Sequence, residues 1–197
     1  SRLARLAEET DEAINYFKLD KDVSSLYEAY IIAEQTGNPI KNAILANMPD
    51  STAYRLANAY SEINKYYKAY EVTSVRLAND KSLVISISLL AANELLEADP
   101  YAYGQAAALF EQGGDYRQAA LCYSKAKELR KAITNAEKIN PKPYDMLIDL
   151  YTEVGDKDKV NQYLDYLYIH DPGLYVAYYA KNGKTMELRT KAIGDQR

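Results

Sequence analysis

Apolar residues recur at spacings of three and four along almost the whole 197-residue chain, while the alternation typical of β-strands is nearly absent. Leu56, Ala57, Tyr60 and Ile63 form one such series. This spacing places the apolar side chains on one face of an α-helix, which can then be buried against a neighbouring helix. The sequence therefore predicts an all-α protein.

Short glycine and proline signals divide these series into segments, since glycine is typical of the end of a helix and proline of its first turn. The predicted helices lie near 2–18, 22–36, 39–47, 51–63, 66–79, 82–97, 101–112, 116–138, 142–154, 157–169, 173–181 and 184–193. We expect the longest, 116–138, to break near Leu129. No long linker separates the segments, so we predict a single domain over residues 1–197.

Three stretches share one order of residues: an aromatic residue, an apolar and small pair, a second aromatic residue, a turn, and a second helix with an aromatic residue and small residues. The clearest copy, in residues 100–127, contains Tyr103, Ala106, Ala107, Phe110, Gly113, Gly114, Asp115, Tyr116, Ala119, Tyr123 and Ala126. Less regular copies occupy residues 50–79 and 141–172. This order resembles the tetratricopeptide repeat (TPR), a helical hairpin that buries its apolar faces by stacking on its neighbours. The resemblance implies an α-solenoid of stacked antiparallel hairpins wound into a right-handed superhelix, with degenerate hairpins at 1–48 and 173–197.

The turns of these hairpins are irregularly spaced. The turn residues Asn64, Gly114, Gly155 and Gly183 are 50, 41 and 28 residues apart, whereas the TPR period is about 34 residues. Such irregular arrays are similar to the solenoids of vesicle-coat, tethering and intraflagellar-transport subunits. Because the chain starts at Ser1 rather than Met, we expect it to be a segment of a longer protein.

Charge and composition exclude several classes of partner. With 24 Lys and Arg against 28 Asp and Glu, the net charge is −4, so the surface as a whole has no attraction for nucleic acid or anionic lipid. The most apolar stretch, 83–92, is too short to span a membrane, and we expect no membrane insertion. Cys122 is the only cysteine, which suits a reducing compartment. We therefore expect an intracellular, cytoplasmic protein whose partners are other proteins or peptides.

The sequence predicts no catalytic residue, cofactor or metal ion. A single histidine, His170, and a single cysteine exclude a zinc cluster built from these residue types. Cys122 is expected to pack in the core, and His170 to lie at the end of a helix where its ring favours the helix dipole. No nucleophile or orienting group accompanies His170, so an enzyme that uses it is the least favoured hypothesis.

One string resembles a phosphate-binding loop. Asn182-Gly183-Lys184-Thr185 ends as such loops do, but the mechanism requires a glycine five residues before Gly183. Tyr178 occupies that position, so we interpret the string as a turn between helices and predict no nucleotide binding.

The TPR resemblance implies a concave groove lined by the first helix of each hairpin. Its exposed positions here are Arg55, Asn58, Glu62, Gln105, Gln112, Asp145 and Asp149. Co-chaperone members of the family hold a peptide carboxylate with Lys, Asn and Arg from consecutive repeats. Ala108 and Asp149 occupy the equivalent positions, and Asp149 would repel a carboxylate, so we predict that this clamp is absent.

Two further surfaces are candidates for binding. The basic patch of Lys125, Lys127, Arg130 and Lys131 is either a solvated face or a docking site for an acidic partner.

The second candidate follows from the 20 tyrosines, which contrast with two Phe and no Trp. Seven of the tyrosines occupy aromatic sites of the hairpins, where their rings are expected to pack: Tyr60, Tyr66, Tyr103, Tyr116, Tyr123, Tyr144 and Tyr151. A C-terminal group is expected to include exposed rings available to a partner: Tyr163, Tyr166, Tyr168, Tyr175, Tyr178 and Tyr179.

The leading hypothesis is a non-catalytic scaffold for protein–protein interaction, a TPR-like module of a larger multi-subunit assembly. The alternative is a self-contained adaptor or sensor that binds a short peptide in its groove. The adaptor predicts a deep pocket of mixed charge near Arg55, Asn58 and Gln105, whereas the scaffold predicts a flat apolar edge or end.

Overall fold

The computed structural model describes residues 23–183, with side-chain environments from residue 29 onward. This part of the chain folds into eleven helices and contains no strand. The helices are α1 Val23–Gln35, α2 Ile40–Asn47, α3 Asp50–Glu62, α4 Tyr66–Arg76, α5 Lys81–Ala98, α6 Tyr103–Gln112, α7 Tyr116–Lys125, α8 Leu129–Lys138, α9 Tyr144–Val154, α10 Lys157–His170 and α11 Pro172–Lys181. The all-α prediction is confirmed, and within each compact unit neighbouring helices pack on one another in the manner of an α-solenoid, as α4 does on α5 and α7 on α8. The predicted helices near 2–18 and 184–193 lie outside the described residues.

The segment 116–138 forms two helices rather than one. Helix α7 ends at Lys125 and α8 begins at Leu129, close to the expected break. Between them Lys127 adopts a left-handed conformation, with φ of 63°, which no helix interior can accommodate. This turn inserts one more helix into the array than the TPR pattern predicts.

Four tight connections share one backbone geometry, which is the recurrent structural unit of this chain. Each has a residue with positive φ two positions before the first residue of the next helix: Asn64, Gly114, Lys127 and Gly155. The N–H of the residue that follows donates to the carbonyl five residues earlier, each time at 2.9 Å and each time to an aromatic residue: Tyr60, Phe110, Tyr123 and Tyr151. This is the Schellman pattern, which satisfies carbonyls at the end of a helix.

Aspartates cap two of the four helices that follow these turns. The carboxylates of Asp115 and Asp156 accept hydrogen bonds from the backbone N–H groups of Gln118 and Lys159. Such a cap satisfies a backbone donor that has no partner within the helix. The turn and the cap together set where one helix ends and the next begins.

The described chain divides into two compact units. The first contains residues 23–102 and 112–114, and the second contains residues 103–111 and 115–183. Whether the whole chain behaves as one domain, and whether it forms a right-handed superhelix, stay predictions.

Each unit has its own apolar core. In the first, large side chains from α1 to α5 form one cluster that includes Tyr30, Leu45, Met48, Leu56, Val72 and Ile87. In the second, alanines allow close approach of helices, and larger side chains fill the space between them. Ala107 and Ala119 are completely buried there, as are Leu147 and Ile148.

Three glutamates in these units occupy the same position, the last but one residue of a helix: Glu34 in α1, Glu111 in α6 and Glu137 in α8. A negative charge at this end is disfavoured by the helix dipole. Each carboxylate is compensated by tyrosine hydroxyls and a lysine ammonium from other helices or turns. We call these groups the Glu–Tyr–Lys clusters.

The Glu137 cluster is the largest. Tyr163 and Tyr151 donate their hydroxyl hydrogens to the Glu137 carboxylate, and the Lys142 ammonium forms an ion pair with it. Burial opposes ionisation of Glu137, but these hydrogen bonds and charges outweigh it and lower its pKa. Burial and the neighbouring carboxylate together raise the pKa of Tyr163. Helix α8 is thereby linked to α9 and α10.

The other two clusters have the same chemistry. Glu34 accepts the hydroxyl of Tyr60 and pairs with Lys68 at 2.9 Å. Glu111 accepts the hydroxyl of Tyr123 at 3.1 Å and pairs with Lys138 at 2.9 Å. The pKa of Glu34 is lowered because these bonds outweigh burial, and that of Glu111 is lowered chiefly by Lys138.

Removing one hydroxyl from the largest cluster tests its contribution. We expect Tyr163→Phe to lower the free energy of unfolding by about 2 kcal/mol, because a hydrogen bond to a charged group is lost from a buried site. Urea denaturation followed by circular dichroism measures this change. Tyr101→Phe is the control, since Tyr101 is 86% exposed and its loss should change stability little. Equal effects of the two substitutions would contradict a role for the cluster.

Acid should weaken the clusters. The folded pKa of Glu137 lies below its ordinary value of 4.5, so its contribution is complete above that pH and is lost as the pH falls through the folded pKa. We expect the free energy of unfolding to decrease as the pH is lowered from about 5 to about 3. Glu137→Gln should show a smaller decrease over the same interval in urea titrations. An unchanged pH dependence in this variant would refute the assignment.

The left-handed turn residue Lys127 provides a backbone test. Glycine adopts positive φ without strain, whereas alanine does not. We expect Lys127→Gly to be more stable than Lys127→Ala by about 1 kcal/mol, as measured by chemical denaturation. Both variants lose the lysine side chain, so the difference isolates the backbone. If alanine were equally stable, the turn would not hold this geometry in solution.

Candidate interaction surface

Helix α9 presents one acidic face to solvent. Asp145, Asp149 and Glu153 are spaced four residues apart and are exposed, so they lie along a single face of the helix. The opposite side buries Leu147 and Ile148 completely. We call the three carboxylates the α9 acidic face.

A groove of about 330 Å³ lies between α7 and α9. Arg117 and Leu121 line it from α7, and Met146 lines it from α9. Ala120 and Leu150 also line the groove and are buried, so they form an apolar floor. All three residues of the α9 acidic face border this α7–α9 groove.

A second groove, of about 210 Å³, lies between α9 and α11. Its buried lining consists of Ile148 and Leu167, while Leu174, Ala177 and Lys181 line it from α11. Asp145 and Asp149 border this α9–α11 groove as well. The two grooves therefore flank the acidic face.

Lysines from outside α9 reach two of its three carboxylates. Lys181 pairs with Asp149 at 2.7 Å, and Lys127 pairs with Glu153 at 2.8 Å. Asp149 raises the pKa of Lys181 through their hydrogen bond. Asp145 and Arg117 take part in none of the ion pairs found within residues 29–183.

The structure separates the predicted groove positions. Asp145 and Asp149 border both grooves, whereas Gln105 on α6 lines neither of them. The remaining positions belong to the first unit, where all are exposed: Arg55, Asn58, Glu62 and Gln112. The hydroxyl of Tyr70 donates to Gln112 at 2.6 Å.

The extra turn at Lys127 explains why α6 and α9 do not line the same groove. A TPR array has one helix between successive first helices, but α7 and α8 both separate α6 from α9. Side chains accordingly link α6 to α8 through Glu111 and Lys138, and α9 to α11 through Asp149 and Lys181. Gln105 is thus on α6, which is linked to α8, whereas Asp145 is on α9, which is linked to α11.

The predicted basic patch is largely engaged within the chain. Lys125 lies over the ring of Tyr103 at 4.9 Å, and Lys127 pairs with Glu153. Lys131 pairs with Glu128 and also lies over the Tyr123 ring at 5.1 Å.

Arg130 is exposed, and it forms no ion pair with any residue in the described part of the chain. It is therefore the patch member that stays available to an acidic partner, and its use for docking stays a prediction.

The C-terminal tyrosines divide into core and surface residues. Tyr163 and Tyr175 are only 7% and 3% exposed, so their rings belong to the core and offer little surface to a partner. Tyr166 and Tyr168 are exposed, and Tyr178 and Tyr179 are half-buried. The series Tyr163, Leu164 and Leu167 has helical apolar spacing, which is the signal that could have identified Tyr163 as core.

The seven hairpin tyrosines are buried or half-buried. Tyr60 and Tyr123 belong to the core, but the other five are half-buried: Tyr66, Tyr103, Tyr116, Tyr144 and Tyr151. Their rings pack while their hydroxyls reach the surface or a glutamate. This explains why tyrosine replaces phenylalanine at these sites.

The structure places His170, Cys122 and the string that ends at Gly183 in surroundings typical of helix ends and cores. His170 lies at the end of α10, with its ring 4.3 Å from that of Tyr166. Cys122 is buried, and burial raises the pKa of its thiol. Residues before Gly183 form helix α11 rather than the strand that a phosphate-binding loop requires; Lys184 and Thr185 lie outside the described residues.

The described residues contain no group of three or more His, Cys, Asp or Glu side chains arranged to hold a metal ion. Every helix among them is too short or too polar to cross a lipid bilayer.

Comparison with known proteins does not place the chain in a family. No protein-family model matches the sequence, and no curated protein is significantly similar to it. The resemblance to TPR hairpins therefore stays a prediction.

Proposed function

We propose that this chain is a non-catalytic module for protein–protein interaction, built from TPR-like helical hairpins. In this proposal it acts as a scaffold within a larger, cytoplasmic multi-subunit assembly, of the kind found in vesicle coats, tethers or intraflagellar transport. The observation that carries the proposal is the pair of grooves with apolar floors on either side of the α9 acidic face. These grooves can accept side chains of a partner segment.

The grooves are suited to recognition because their walls belong to packed helices. Ala120 and Leu150 in one floor, and Ile148 and Leu167 in the other, are part of the core of the second unit. A partner would thus meet a surface that is already formed, which reduces the entropy lost on binding. Apolar floors with charged rims are the usual anatomy of protein interfaces.

The lining residues favour binding over catalysis. Ser124 borders the α7–α9 groove, but His170 and Cys122, the only residues of their types, line neither groove. A serine nucleophile requires an adjacent general base. The carboxylates nearby are exposed, and two of them are paired with lysines.

A self-contained peptide-binding adaptor is the second candidate. The α7–α9 groove carries both Arg117 and three carboxylates, which matches the mixed charge expected of such a site. It lies at α9 rather than near Arg55, Asn58 and Gln105. An adaptor would bind a short segment by itself, whereas a scaffold would retain the folded subunits of its assembly.

Blocking the grooves tests both forms of the proposal. Leu121 is exposed beside the first groove and Ala177 is exposed in the second, so Leu121→Arg and Ala177→Arg should fill them without disturbing the core. We expect the double variant to lose its co-purifying proteins, as quantified by mass spectrometry. Val75→Arg, at an exposed position in the first unit, should retain them. Retention of every partner by the double variant would contradict binding at α9.

A further inference from the structure

We infer that the segment recognised at α9 is basic and apolar, a stretch of another protein in which Lys or Arg side chains alternate with apolar ones. This inference rests on the proposed function and specifies its partner. It is carried by the charge pattern of the α9 acidic face together with the grooves that flank it.

The spacing of the carboxylates fits a row of cations. Asp145, Asp149 and Glu153 recur once per helical turn, about 5–6 Å apart along the axis. An extended or helical segment can therefore place successive basic side chains along the same line. Apolar side chains between them would enter the α7–α9 and α9–α11 grooves, whose floors are buried apolar residues.

The chain itself shows how cations approach this face. Lys127 and Lys181 extend to Glu153 and Asp149 although their own side chains are 76% and 66% exposed. Ion pairs this exposed contribute little to stability. A partner's lysine or arginine can replace them at small cost.

Asp145 is the open position in the row. It borders both grooves and forms no ion pair with the residues described around it. A cation at Asp145 would sit between two apolar sites, where it gains from both charge and packing. Arg117, on the α7 wall of the first groove, disfavours a cation on that wall and so directs it towards α9.

Peptide selection identifies the chemistry of the partner. The probe is a library of random twelve-residue peptides displayed on phage, selected against the whole chain and followed by synthesis of the enriched sequences. We expect the enriched peptides to combine Lys or Arg with apolar residues. Their affinities are then measured by fluorescence anisotropy at two salt concentrations, and higher salt should weaken binding.

A matched pair of variants locates the site. Asp145 is the second residue of α9 and Asp158 is the second residue of α10, so Asp145→Lys and Asp158→Lys impose the same charge change at the same helix position. We expect Asp145→Lys to weaken peptide binding about tenfold or more, and Asp158→Lys to leave it unchanged. Circular dichroism verifies that both variants keep the helix content of the parent.

The outcomes separate the inference from the proposed function. Enriched peptides that are acidic, or that bind the Asp145→Lys variant as well as the parent, overturn the inference while binding itself stands. If no peptide is enriched and the groove-blocked variant keeps every co-purifying protein, both the inference and the proposed function are wrong.

Discussion

A carboxylate held near the carbonyl end of a helix is the interaction on which the packing of this chain depends. Glu34, Glu111 and Glu137 are each placed where the helix dipole disfavours negative charge. Each is stabilised by tyrosine hydroxyls and a lysine from elsewhere in its unit. Because the carboxylate needs these donors, it specifies which helices lie beside it, something an apolar contact alone does less selectively.

Local pattern was sufficient to predict most of the helices. The glycine turns at Gly114 and Gly155 and the aspartates that follow them have recognisable chemistry, and the described helices begin and end close to the predicted positions. The sequence indicates a break near Leu129 but not the conformation of the turn, since lysine rarely adopts the positive φ found at Lys127. Because 116–138 forms two helices, both α7 and α8 separate α6 from α9. Gln105 on α6 therefore does not share a groove with Asp145 on α9.

Side-chain environments were harder to predict because they depend on partners distant in sequence. Tyr163 and its acceptor Glu137 are 26 residues apart, and no local pattern indicates that they meet. The helical spacing of apolar residues in α9 was sufficient to place Asp145 and Asp149 on its exposed face, since they lie four residues apart and on the side away from Leu147. That they border two grooves follows only from how α7 and α11 pack beside that helix.

The Glu–Tyr–Lys clusters also determine where the chain can be cut. A fragment that ended at Lys138 would retain Glu137 but lose Lys142, Tyr151 and Tyr163, leaving a carboxylate without its donors at the end of α8. The same cut removes α9 and α10, the helices that Glu137 links to α8. A single hairpin therefore does not contain all the partners of its own glutamate. A minimal fragment has to extend past each turn to include the donors beyond it.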